Sequence, residues 1–290
     1  LNNINKMKKR IVLYMLIAIS IFNVKGQSLS WDSLRFVSLN SIHYKLNEMK
    51  ISSDDEKVMI GPFQDYFIYE GDTLKSDQKY GNFMMKFNAQ DQLVWKKMIT
   101  ASVEDNEMTN SPFDHSVYME IAANGPIYTA INYKNSITVE SIELNSNNTY
   151  PLAKTFLMMK HDIDGNLLHQ FGFDGTCANR INGFVLDQNE HIYMIGEFYK
   201  SEFNVEETCN CLIGEQNFST TDKTSFITKM TGDGAVIWTK TIADVALRTL
   251  DVSGNQLVVG GNKKEALSSA MTSSPSAFIG DPVSSSLVTQ

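Results

Sequence analysis

Ser225–Lys240 reads SFITKMTGDGAVIWTK, and the same phrase stands twice upstream, as TFLMMKHDIDGNLLHQ at Thr155–Gln170 and NFMMKFNAQDQLVWK at Asn82–Lys96. Lys86, Lys160 and Lys229 align, as do Trp95, His169 and Trp238, at steps of 160 − 86 = 74 and 229 − 160 = 69 residues. A degenerate repeat of this kind constrains the fold strongly. Each copy is one supersecondary unit that cannot bury its apolar surface alone and has to stack on its neighbours. Within the last copy, apolar runs flank Gly232-Asp233-Gly234. A Gly/Asp pair between β-prone runs is a hairpin signal, and a primed turn with φ > 0 is expected there.

A second phrase repeats as well. Met49–Phe63 has a strand, a polar turn at Ser52–Glu56 and a second strand ending at Gly61; the pattern returns at Ser116–Tyr133, Asn182–Tyr199 and Leu247–Asn262. Ile127-Tyr128, Ile192-Tyr193 and Leu257-Val258 align, at steps of 192 − 127 = 65 and 257 − 192 = 65. Each is a hairpin by its turn residues. Between the two hairpins of a unit lies a third phrase, Tyr66–Ser76, Ser136–Ser146 and Glu202–Leu212. Alternation at Phe67/Tyr69, Ile137/Val139 and Phe203/Val205 reads as a half-exposed strand. The runs Phe83–Met85 and Phe156–Met159 are apolar on both faces, as in a strand sandwiched between sheets. Almost nothing reads as a helix. The expected class is all-β, with four-stranded β-propeller blades repeated around an axis. Three complete units and the first hairpin of a fourth, about three and a half, make an incomplete propeller over residues 27–264. The Ser-rich stretch 265–290 reads as a tail or the start of a truncated blade, with Ala277-Phe278-Ile279 a degraded trace of the next strand.

The units resemble the seven-bladed β-propeller repeats (SBBP type) of exported bacterial proteins. Their pattern is an apolar strand with Asp, a "vYvtG"-like strand, then "DaFvaKld..G..lW". The matching residues are Leu186-Asp187, Ile192-Tyr193-Met194-Ile195-Gly196, Phe226-Ile227-Thr228-Lys229, Gly234 and Trp238, within a likeness covering about Lys45–Lys263. His169 replaces the Trp, Asn88–Gln92 lacks the Gly, and the middle lobe is longer than usual. The resemblance implies a piece of a longer protein with further C-terminal blades; such proteins often end in a sorting domain for type IX secretion.

The N-terminus reads as an address. From Met7, Lys8-Lys9-Arg10 form a positive region and Ile11–Phe22 an apolar run of 12 residues, short against the roughly 20 of a membrane span. Val24-Lys25-Gly26 places cleavage before Gln27. Residues 1–26 are thus expected to be a signal peptide, with a retained N-terminal anchor helix as the alternative; after cleavage the mature chain is expected to be secreted or held at the cell surface, with no membrane span. Trp31 is expected to anchor the core; Trp31-Asp32 lacks the partner and period of a WD repeat. The net charge of −8 argues against a nucleic-acid partner, because no basic stripe exists to neutralise phosphate.

Few residues suggest chemistry. Asp162 and Asp164 in DIDGN resemble the start of a calcium loop without its later ligands; a hairpin turn is the alternative. Glu70, Glu140 and Glu206 fall in register, so three carboxylates could ring a cation or basic ligand on one propeller face. A solvated strand face is the alternative. Cys177, Cys209 and Cys211 suit a disulfide in an exported chain, Cys177 with Cys209 or Cys211, or Cys209 with Cys211. The five His (His43, His115, His161, His169, His191) show no ligand spacing and read as surface or turn residues. No catalytic set and no cofactor is indicated. The expected function is non-enzymatic: exported loops that bind protein or glycan at the cell surface. A propeller-based glycan hydrolase or lyase, or a structural spacer in a large adhesin, are the alternatives.

Overall fold

Apolar runs bounded by polar five-residue turns give the chain one economical solution, successive antiparallel sheets packed flank to flank. The computed structural model describes residues 46–102, 117–134, 136–145, 154–200, 208–254, 256–263, 275–280 and 288–289. The expected leader, Trp31, His43, His115, Phe203, Val205, Glu206 and most of the Ser-rich stretch lie outside them. The first sheet holds β1 (Glu48–Ile51), β2 (Lys57–Tyr69), β3 (Asp72–Phe87) and β4 (Leu93–Ser102) in chain order. The second holds β5 (Val117–Ile121), β6 (Ile127–Lys134), β9 (Lys154–His161) and β10 (Leu167–Phe171), interrupted by the hairpin β7 (Ser136–Val139) and β8 (Ile142–Asn145). After the short β11 (Asp174–Gly175), the third holds β12 (Ala178–Leu186), β13 (Ile192–Tyr199), β16 (Thr224–Met230) and β17 (Val236–Ala243), interrupted by β14 (Cys209–Ile213) and β15 (Gln216–Thr220). The fourth holds β18 (Val245–Ser253), β19 (Gln256–Lys263), β20 (Pro275–Gly280) and β21 (Val288–Thr289). These are β-propeller blades. Ala277-Phe278-Ile279 falls in β20, the third strand of the fourth sheet.

The register bears directly on the repeat. Lys86, Lys160 and Lys229 lie opposite Trp95, His169 and Trp238 on the next strand. A bulge adjoins that pair in each blade, bending the outer strand and sharpening its twist. Phe83, Phe156 and Phe226 occupy third strands of consecutive sheets, but Phe156 is one residue out of step. Counting back from the lysines, Leu157 is the equivalent of Phe83 and Phe226, so Phe156 faces the other side.

The hairpin turns share one geometry that corrects the expectation of a primed turn at Gly232-Asp233-Gly234. In Ser52–Glu56, Asn88–Gln92, Ala122–Pro126, Asp162–Asn166, Asp187–His191 and Thr231–Ala235, the first N–H donates to the fifth carbonyl and the fourth N–H to the first carbonyl. Only the fourth residue has φ > 0: Asp55, Asp91, Gly125, Gly165, Glu190 and Gly234. This is a type I turn closed by a left-handed residue. The side-chain oxygens of Ser52, Asn88, Asp162, Asp187 and Thr231 accept from the fifth amide. In the remaining turn, Ala122 has no acceptor and Pro126 no N–H, so donor and acceptor are dropped together.

Another correction concerns the third phrase. It is a hairpin, not a strand, and β2 continues past Gly61 to supply its first half. The hairpin folds back along its own blade: Phe67 stacks on Phe83 at 4.3 Å and Tyr69 meets Phe87 edge-on at 5.7 Å. In the second unit Ile137 and Val139 enter the core between blades one and two, with Ile60, Met84, Ile131 and Leu157. In the third, Cys209, Cys211 and Ile213 pack with Phe156, Met158, Phe198 and Phe226. Each of these two hairpins is a wedge between blades: in the second unit Thr138 pairs with Ala101 on the outer strand of the first blade, and in the third Leu212 pairs with Asp174 of the short β11. Counting back from the turns, Cys211/Ile213 match Phe67/Tyr69 and Ile137/Val139, the place the sequence alignment gave to Phe203/Val205.

Side chains also join neighbouring blades. Asn132 Nδ2 donates to the Ile181 carbonyl and its Oδ1 accepts from the Ile181 N–H, both at 2.9 Å. Trp95 Nε1 donates to the Ile163 carbonyl at 3.2 Å. Tyr128 Oη donates to Glu190 Oε2 at 2.6 Å beside Lys160, 3.3 Å from the same carboxylate. Burial and then the Glu190 bond push the Tyr128 phenol up to about 12. Gly232 is needed for this approach, since a Cβ there would lie 2.5 Å from Tyr128 Oη.

His161 is the last residue of β9 and is buried, not at the surface as its turn-side position suggested, with Nε2 3.2 Å from Thr129 Oγ1. Burial, then Lys97, pulls its pKa from 6.5 down to about 4. A folded pKa below the unfolded one means stability present above 6.5 and lost as pH falls toward about 4, on the order of 3 kcal/mol. Urea unfolding at about pH 7 and about pH 4 is expected to show this loss in the native chain and a smaller one in His161→Gln. Equal losses in both would contradict the assignment.

Candidate functional site

The first strands carry a pattern that apolar packing does not explain. They read Met49-Lys50-Ile51, Met119-Glu120-Ile121, Phe184-Val185-Leu186 and Leu250-Asp251-Val252. Their partners on the second strands are Val58, Tyr128, Tyr193 and Val258, so Lys50, Glu120, Val185 and Asp251 hold one register position in four successive blades. Successive first strands touch one another, β1 with β5, β5 with β12 and β12 with β18. That contact places them on the inner side of the arc of blades.

Charged side chains therefore meet there. Lys50 Nζ lies 2.6 Å from Glu120 Oε1, with side-chain exposures of 35% and 23%. Glu48, two residues before Lys50, accepts the Met119 N–H on Oε2 at 2.7 Å. Burial raises the Glu120 pKa against the lowering effect of Lys50, and Asp251 raises it further. Burial also raises that of Glu48, opposed by the Met119 amide and Lys50, with Glu120 adding to the rise. Two carboxyl groups with raised pKa thus share one ammonium, with a third acid close enough to be felt. The cluster can hold a cationic or hydrogen-bonding group.

The residues singled out in the sequence lie elsewhere. Glu70 and Glu140 are exposed and occupy the two-residue tips of the third-phrase hairpins of the first and second units, at φ 51° and 46°. Gly214 holds the corresponding place in the third. Asp162 is a turn cap: Oδ1 accepts the Asp164 and Asn166 N–H groups at 2.9 and 2.8 Å, and Oδ2 accepts Asn166 Nδ2 at 2.8 Å. Its slight burial is outweighed by these amide bonds, Asn166 first, which hold its pKa below the carboxylate norm. Asp164 is exposed. Among the described residues no three His, Cys, Asp or Glu are grouped to hold a metal ion. Cys177 and Cys209 are joined by a disulfide, and Cys211 keeps a buried thiol. The signal that could have found the axial cluster is the charged residue between two apolar ones in three of the four first-strand copies, Lys50, Glu120 and Asp251.

Fold and site together define a protein of the β-propeller class with charged first strands. No protein-family model matches the chain, and no curated protein does. Among solved structures it is similar to a chain titled Hadza microbial sialidase Hz136, at 5% identity and a TM-score of 0.48, over 86% of this chain and 47% of that one. The chain thus spans about half the length of that structure.

Proposed function

We propose that this chain is an exported β-propeller module that binds a protein or glycan at the cell surface without transforming it. The observation that carries the reading is the charged register position on the first strands. Glu48 and Glu120 are held against the pull of burial, so they serve something other than packing. Lys50 and Glu120 stay partly exposed, within reach of a ligand entering along the axis. The leader pattern Lys8–Phe22 supports export.

A glycan hydrolase is the second reading, and the raised pKa values of Glu48 and Glu120 favour it, since the general acid of glycoside cleavage is a carboxyl shifted in that direction. One experiment separates the two. The purified chain and Glu120→Gln are titrated with a panel of cell-surface glycans and proteins, and reducing-sugar release is followed in parallel. Binding that weakens about tenfold in Glu120→Gln, with no sugar released, is the expected result. Sugar release by the native chain that Glu120→Gln abolishes would replace binding with hydrolysis. Neither binding nor release would defeat both.

A further inference from the structure

A second polar site lies in the third blade. Arg180 stands five residues before the axial position Val185 in the same strand. It bonds through Nε and Nη2 to Oε1 of Glu197, whose side chain is fully buried. Lys223 Nζ sits 2.6 Å from the other oxygen of Glu197 and 5.7 Å over the Tyr199 ring. Above this pair is a cavity of about 310 Å3 lined by Arg180, Tyr199, Lys200, Thr221, Asp222 and Lys223. Three cations and one acid line it, and Glu197 beneath brings the balance to 3 − 2 = +1, in a chain of net charge −8. Glu197 fixes Arg180 and Lys223 in place, while Lys200 has no partner among the described residues.

We infer that this cavity binds a tetrahedral oxyanion, a sulfate or phosphate group. The choice over a carboxylate follows from the number of cations in the lining. Nε–H and one Nη2–H of Arg180 already point at Glu197, which leaves its end-on pair for a ligand. Lys200 and Lys223 bring two further ammonium groups to the same lining, and donors from three side chains suit a group with three or four acceptor oxygens better than one with two. Thr221 adds a hydroxyl to the lining. The group can come free, as an inorganic ion, or as an ester on a saccharide whose ring meets Tyr199. This site is separate from the axial cluster and does not depend on it.

The test is calorimetric titration of the purified chain with sodium sulfate at constant ionic strength, then with a chondroitin sulfate hexasaccharide and its desulfated form, which keeps its carboxylates. Saturable sulfate binding is expected, weakened about fivefold in Lys200→Gln and strengthened about twofold in Asp222→Asn. The circular dichroism of both variants should match that of the native chain. Hexasaccharide binding at least about tenfold tighter than sulfate identifies the sugar ester as the source; equal affinity identifies the free ion. Absence of saturable sulfate binding, indifference to Lys200→Gln, or equal binding of the desulfated sugar would overturn the inference.

Discussion

Replacing Cys177 with Ser is expected to lower the unfolding free energy by about 3–4 kcal/mol. The Cys177–Cys209 bond closes a loop with a sequence separation of 32. It ties the lead-in of the third blade to the wedge hairpin that fills the space beside the second blade. Both ends are buried, with Phe156, Phe173 and Phe226 in the same core. Loss of the bond releases the hairpin in the unfolded ensemble and leaves a buried hydroxyl in an apolar site. Cys209→Ser is expected to behave differently. The Thr176 and Cys177 N–H groups donate to the Asn210 carbonyl, at 2.7 and 3.0 Å. Cys177 therefore faces the strand midway between Cys209 and Cys211, and in Cys209→Ser it can close on Cys211 instead. That variant should keep a disulfide and lose less, about 1–2 kcal/mol. Denaturant unfolding without reductant, with thiol counting, reads both. A Cys177→Ser protein within about 0.5 kcal/mol of the native chain would contradict the wedge as a structural element.

The largest single effect is expected at Phe226, where truncation to Ala should remove about 4 kcal/mol. The ring is fully buried, 5.5 Å from that of Phe173 and 6.3 Å from that of Phe198. It lies across the ladder from Gly196, and a Cβ on Gly196 would strike both this ring and the Arg180 carbonyl. Gly196→Ala alone should therefore destabilise by about 2 kcal/mol through overpacking. In the double variant the ring clash is gone and the carbonyl clash remains, so the two effects should sum to more than the measured loss. Strict additivity in urea unfolding would show that Phe226 does not lie over Gly196.

Much of the fold was legible because repetition reports register. The lysine and tryptophan columns marked the third and fourth strands, and the structure pairs those same residues. What failed was local geometry that a repeat does not encode. The turn at Thr231–Ala235 takes its shape from a side-chain oxygen capping a later amide, so Gly232 marks close approach of a neighbouring blade and not a positive φ. The third-phrase hairpins were read as strands because a two-residue turn at Glu70-Gly71 or Glu140-Ser141 carries little signal beside long β-prone runs. In the third unit the alignment settled on Phe203/Val205, since cysteines do not advertise themselves as core at positions held elsewhere by Phe, Tyr, Ile and Val. The Glu70/Glu140 register was present in the sequence, but it belongs to exposed hairpin tips. The axial cluster was also written there, as Lys50, Glu120 and Asp251 between apolar neighbours. It went unseen because charge changes sign from copy to copy, and a column of like residues is easier to notice than a column of polar ones.

The most direct test is a cross-link between units. Ala101 on the outer strand of the first blade lies directly opposite Thr138 on the wedge hairpin of the second, and directly opposed residues of an antiparallel pair lie about 4.5–5.5 Å apart at Cα, within disulfide reach. In a Cys211→Ser background, Ala101→Cys with Thr138→Cys should oxidise to an intramolecular disulfide in the folded protein and fail to do so in urea. If the folded protein leaves those two thiols reduced while keeping its native circular dichroism, the blades do not sit flank to flank with a hairpin between them.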